Sequence, residues 1–226
     1  MRTRWFKRIS VVCLLLASAA AGTAAAASVT VTVADASGVL VDAVVSLEPA
    51  RPVAPSAGKT VEMDQINSQF VLAVRTGTLV RFANNDQIRH QVYSFSPVKR
   101  FELPLFQGTT AAPVRFDQPG LVTIGCNIHD SMQGYIVVLE TPYFGKTGSD
   151  GRTQLEAPAG NYTLRVWHPR IKGAASSEPL VIARDAVQRR VTLQTTGTAP
   201  VVAPPDARAR ALQDKFRNAD PKKPRP

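Results

Sequence analysis

At 226 residues, with 44% hydrophobic and 19% charged side chains, the chain can bury one or two compact cores, which excludes a wholly disordered protein. Its formal charge of +10 is concentrated at the two ends. Setting aside four basic residues near the start and a net four positive charges after Ala199 leaves about +2 between them, which excludes the basic surface of a nucleic-acid binder.

Residues 1–27 read as an export signal. Arg2, Arg4, Lys7 and Arg8 form a basic opening, Ile9 to Ala20 an apolar run, and Ala24-Ala25-Ala26-Ala27 a cleavage region of small residues. The run is too short to span a bilayer, so no integral membrane segment is expected after cleavage, and the mature start falls near Ala27 or Ser28. A periplasmic location follows. Cys13 leaves with the signal, and Cys126 becomes a lone cysteine in a compartment that oxidises thiols.

The periodic segments that follow have period two. In 28–50, Val29, Val31 and Val33 alternate with threonines, Asp35-Ala36-Ser37-Gly38 turns, and Val41, Ala43, Val45 and Leu47 alternate up to Pro49. This strand pair is too small to bury a core alone. A linker rich in Pro and Ala covers residues 50–58. The segment 60–140 is long enough for one small sandwich: Phe70, Leu72 and Val74 lead to a Thr76-Gly77 turn, Val80 and Phe82 follow, and strands return at Leu121 to Cys126 and Tyr135 to Leu139. Thr141-Pro142 closes it, and 141–196 adds Tyr162-Leu164-Val166 and Val191 to Leu193. No stretch keeps a helical period across three turns, so the fold class is all-β.

The chemistry concentrates in Gly125-Cys126-Asn127-Ile128-His129-Asp130-Ser131-Met132, with His90 arriving after the strand Leu79 to Phe82 and the turn Asn84-Asn85-Asp86. Cys126 shares a strand face with Val122 and Ile124, so its sulfur should enter the sandwich. A thiolate, two imidazoles and a thioether are the donors of a type 1 copper site, with a trigonal His₂Cys plane and a long axial Met contact. The expected metal set is therefore His90, Cys126, His129 and Met132 around one mononuclear copper. The donors must be deprotonated thiolate and neutral imidazole, so binding should weaken in acid. Asn85, the Asn127 amide, Phe95 and Phe101 are candidates to tune the site.

The tail 197–226 is rich in Pro, Ala and charge and reads as disordered, with Ala207 to Phe216 capable of a short helix. Its positive charge would suit weak contact with an acidic partner or an anionic lipid surface. His168, in Trp167-His168-Pro169, reads as a strand-end side chain; the sharper reading packs Trp167 and His168 against the copper segment or along an electron path. Tyr93, Phe95, Phe101 and Phe106 read as packing residues.

From Phe70 to Val74, through Gly77, Val80, Phe82, Asn84-Asn85-Asp86 and His90, to Phe116, Gly120 and Cys126-x2-His129-x2-Met132, the chain resembles the cupredoxins, and its ligand loop is similar to that of amicyanin. Val31 to Val45, Lys146 to Arg152 and Pro158 to Val166 resemble the carboxypeptidase-regulatory, transthyretin-like β-sandwich. Across nearly all of the mature chain it resembles exported cupredoxin-like proteins labelled methylamine utilisation proteins. The resemblance implies a cupredoxin-like Greek-key β-sandwich over 60–140. It also implies a second small Ig- or transthyretin-like β-sandwich, split between 28–50 and 141–196. A single larger sandwich is the competing arrangement. The implied role is one-electron transfer in the periplasm between redox protein partners. Gln91 departs from the pattern, standing where an Asn often follows the first histidine, and Asp130 makes the surface beside His129 more polar than that of better-known members.

Other readings remain beside this one. Cys126 could be a small buried hydrophobe. Zinc is disfavoured because structural zinc rarely takes a thioether. A cysteine nucleophile would need an orienting third group and a cleft, so the chain is not expected to be an enzyme. Copper delivery is the alternative function, against which stands the scarcity of Met and His: the mature Met residues are Met63 and Met132. A β-sandwich scaffold or adhesion module without redox work is the third.

Overall fold

The computed structural model describes residues 26–54, 59–64, 69–84, 89–109, 112–126 and 133–197. The expected export signal, as far as residue 25, and the tail from residue 198 lie outside the described residues, as do Asn85, Asn127, His129 and Met132. Every regular element among the described residues is a strand, in agreement with the all-β expectation. No helix there is long and apolar enough to cross a membrane.

The strands form four sheets. In the first, Ala26–Asp35 lies between Arg152–Pro158, antiparallel, and Val187–Thr192, parallel, with Gly38–Val39 folding back on its end. The second runs Phe144–Lys146, Val44–Pro49, Gly160–Trp167, Ser176–Ile182, all antiparallel. These two face each other across one core. Val29, Val31, Val33, Val45 and Leu47 from the early strands meet Leu155, Leu164, Val166, Leu180 and Ile182 from the late ones. The valines of Ala26–Asp35 bury their alternate positions completely, at roughly 1.5–3 kcal/mol each. At one corner the Tyr162 hydroxyl donates to the Pro158 carbonyl at 2.9 Å and fixes the turn into Gly160–Trp167.

The middle of the chain builds the other two sheets. One sets Thr78–Asn84 between Val114–Phe116 and Thr60–Asp64, with Gly108–Thr109 also on it. The other runs Gln69–Arg75, Gln133–Leu139, Gly120–Gly125, Tyr93–Ser94, Phe101–Glu102. Met63, Val74, Val80, Phe82, Phe116, Val122, Ile124, Ile136 and Val138 fill the space between them. Gly77, at φ 87, makes the tight turn from Gln69–Arg75 into Thr78–Asn84, a left-handed conformation that favours glycine.

Two early expectations change. The alternation through Val41 does not continue the strand: Val41 is exposed, Leu40 is buried instead, and Asp42 turns with φ 60 before Val44–Pro49 begins. The two early strands are also not partners, since Ala26–Asp35 and Val44–Pro49 lie in opposite sheets. A period of two states which face is buried, not which strand lies alongside.

Gln133–Leu139 and Val44–Pro49 are buried on both faces because a third apolar seam lies between them. Val44 and Trp167 there meet Val71, Ala73, Tyr135, Val137 and Leu139.

Candidate metal centre

Cys126 follows directly on Gly120–Gly125, the strand between Gln133–Leu139 and Tyr93–Ser94. Strand alternation places it on the face of Val122 and Ile124, and all three are buried. Its neighbour Gly125 points the other way and opposes Tyr93. The phenol of Tyr93 lies so close that a Cβ on Gly125 would stand 2.8 Å from its oxygen. Glycine here admits an aromatic ring against the backbone one residue before the thiol.

His90 is carried by a short extended stretch. Its N–H donates to the Phe106 carbonyl at 3.0 Å, and the Phe106 N–H returns a bond to the His90 carbonyl at 2.9 Å. The Asn84 amide, at the end of Thr78–Asn84, donates to the same Phe106 carbonyl at 2.9 Å. Two residues on, the Leu103 N–H bonds the Val92 carbonyl at 2.8 Å. His90 is thus tied to both sheets of its sandwich.

The result is a close approach: Cys126 Sγ stands 3.6 Å from His90 Nδ1, both side chains buried. With bonds of about 2.3 Å to sulfur and about 2.0 Å to nitrogen, as for a first-row divalent ion, donors so spaced subtend roughly 115° at a shared ion. That angle lies between tetrahedral and trigonal, so the pair fits one soft transition metal. Soft thiolate beside imidazole is a donor set suited to copper. Among the described residues no group of three or more His, Cys, Asp or Glu gathers, so His90 and Cys126 are the expected donors that can be placed together. His129 and Met132 follow Cys126 by three and six residues in the chain, outside the described residues.

The other tuning candidates divide. Phe101 stacks on Phe82 at 5.6 Å and meets Phe116 edge-on at 6.0 Å, as a core residue. Phe95 leans on Tyr93 at 5.1 Å. Gln91 is buried and its amide donates to Glu102 at 2.9 Å. His168 is remote in role: its Nδ1 accepts from the Arg170 N–H at 3.2 Å, so Nε2 carries the proton and donates to the Val41 carbonyl at 3.2 Å. Trp167, beside it, does pack against the middle segment, on Tyr135. The sequence pattern gives Asn84 only a turn role and Phe106 only a packing role, whereas Phe106 acts through a backbone carbonyl that no side-chain pattern announces.

No family model matches the chain, and no curated protein does. Several solved structures are similar to part of it. A purple cupredoxin from Nitrosopumilus maritimus is 22% identical, with 30% of this chain and 77% of that chain covered and a TM-score of 0.28. An oxidized variant of amicyanin is 21% identical, with 43% of this chain and 99% of that chain covered and a TM-score of 0.32. A copper-containing nitrite reductase from Thermus scotoductus SA-01 is 28% identical, with 41% of this chain and 26% of that chain covered and a TM-score of 0.32.

Proposed function

We propose that this chain is an exported, periplasmic protein with one type 1 copper, held by His90, Cys126, His129 and Met132, that passes single electrons between protein partners and is not itself an enzyme. The observation that carries the reading is the buried 3.6 Å approach of Cys126 Sγ to His90 Nδ1. The loop sequence supports it by supplying an imidazole and a thioether within six residues of the thiol. When bound, copper supplies reversible one-electron exchange. The chain's part is to hold a deprotonated thiolate and a neutral imidazole at fixed separation in a dry core, so that little has to move when the charge changes.

We also infer that 60–140 is the copper domain, that 28–50 and 141–196 form a split transthyretin-like sandwich, and that the whole is similar to exported methylamine utilisation proteins of cupredoxin type. The pairing of Val44–Pro49 with Gly160–Trp167 and of Ala26–Asp35 with Arg152–Pro158 supports that division.

The test is to add Cu(II) to the exported form and record visible and EPR spectra. An intense thiolate-to-copper band with narrow hyperfine splitting is expected, and Cys126→Ser abolishes it. A band that survives Cys126→Ser defeats the reading. Copper bound without that band, and released to a chelating partner, points to copper delivery instead.

A further inference from the structure

We infer that Asn84 is a positioning residue for the metal centre, acting on His90 through the backbone of Phe106; this rests on the copper reading above. The Phe106 carbonyl accepts two hydrogen bonds, from the His90 N–H at 3.0 Å and from Asn84 Nδ2 at 2.9 Å. A carbonyl oxygen has two lone pairs, and here each has a donor. One donor belongs to the stretch that carries the imidazole. The other belongs to Thr78–Asn84, in the opposite sheet of the sandwich.

The stretch around Phe106 needs such a brace. Phe106 bridges to His90, yet Gly108–Thr109, only two residues later, pairs with Ala83 and Asn84. The segment therefore passes, between Phe106 and Gly108, from an isolated bridge with His90 to the sheet that holds Thr78–Asn84. Asn84 closes that corner with its side chain. It is 1% exposed, so its bond is made away from competing water. Cys126 is fixed independently, by the strand Gly120–Gly125. The separation of sulfur and ring nitrogen then depends on two supports, and Asn84 belongs to the one that sets His90. An outer group of this kind orients a ligand without touching the metal.

Asn84→Ala removes the donor, and Asn84→Asp keeps the volume while replacing the donor with a carboxylate facing a carbonyl. Three quantities separate positioning from plain packing: amide hydrogen exchange at His90 in metal-free protein, the Cu(II) spectra, and the denaturant midpoint. In both variants the His90 amide should exchange about fivefold to tenfold faster, in line with one lost buried hydrogen bond. Copper affinity should fall about tenfold or more, with a shifted charge-transfer band. Unchanged His90 exchange and an unchanged spectrum beside a lowered midpoint would overturn the inference, leaving Asn84 as an ordinary buried residue. Asn84→Asp carries the test if Asn84→Ala does not fold. If the wild type shows no thiolate band at all, the copper reading fails, while His90 exchange still decides whether Asn84 braces that segment.

Discussion

Trp167 rests on Tyr135, with ring centroids 5.3 Å apart and planes inclined at 59°. The first ends the strand Gly160–Trp167; the second lies in Gln133–Leu139, next to the strand that leads into Cys126. With Val44, Val71 and Val137 they make the seam between the two pairs of sheets. Trp167→Ala is expected to cost about 2–3 kcal/mol, less than a wholly buried tryptophan because this one is only half-buried. The loss should fall on the coupling: urea unfolding followed by circular dichroism should broaden or split into two transitions. A single transition with an unchanged midpoint would show that the seam contributes nothing.

Gly125→Ala tests the contact beside the thiol. The strand backbone at Gly125 suits any residue, so the penalty comes from the new Cβ, 2.8 Å from the Tyr93 oxygen and 2.9 Å from its Cζ. Displacing the phenol should cost about 1–3 kcal/mol. In a double-mutant cycle Tyr93→Ala should recover most of that penalty. Additive effects in the cycle would mean that the ring does not press on Gly125.

Much of this arrangement was legible in the chain, and the illegible parts share a cause. Val29, Val31 and Val33 alternate with threonines and are all fully buried, and Cys126 shares the inward face of Val122 and Ile124. Those are statements about faces, which a period of two encodes. The partner across the sheet is set by tertiary pairing, so the early strands read as neighbours although they lie in opposite sheets. Val44 falls off the alternation of Ala43, Val45 and Leu47, yet it is buried, with Tyr135 and Val137, because a second sheet covers it. The bracing of His90 was hidden for another reason: its link, the Phe106 carbonyl, is a backbone atom every residue possesses.

His168 predicts how stability responds to mild acid. Burial lowers its pKa from the ordinary 6.5, with the Arg170 charge acting in the same sense, while the Val41 carbonyl, Asp35 and Asp42 oppose them. Both ring nitrogens are engaged in the neutral form. The unfolded chain therefore takes up a proton at a higher pH than the folded one. The stability this imidazole contributes is fully present above about pH 6.5 and is lost as pH falls through that value toward the lower folded pKa. His168→Gln should flatten this part of the pH profile of the denaturant midpoint, and the copper spectrum should not move. A profile with the same slope in the variant would assign the mild-acid loss to other groups.

Asp35 predicts the acid limb at lower pH. Its carboxylate accepts from the Ser37 hydroxyl at 2.6 Å and the Ser37 N–H at 2.8 Å, from the Thr195 hydroxyl at 2.7 Å, and from Arg170 at 3.3 Å. These bonds, the Ser37 hydroxyl first and Thr195 next, hold the group well below its ordinary pKa of 3.8. The side chain is 3% exposed, but what covers it is polar and lies at the edge of the sandwich, so desolvation opposes the shift only weakly. The shift has the same direction as that of His168 but the opposite cause: the fold favours the charged form of Asp35 and disfavours that of His168. The folded state releases this proton more readily than the unfolded chain, so the contribution is complete above about pH 4 and disappears as pH falls below it. Asp35 also ties the end of Ala26–Asp35 to residues 170 and 195, which makes the loss a loosening of that end of the sandwich. Asp35→Asn should lower the melting temperature at neutral pH, and the gap from wild type should narrow steadily as pH falls below about 4. Thr195→Val, which removes one donor and leaves the charge, should show a smaller gap with the same closing. A gap that stays constant down to pH 2 would mean that Asp35 acts by shape alone.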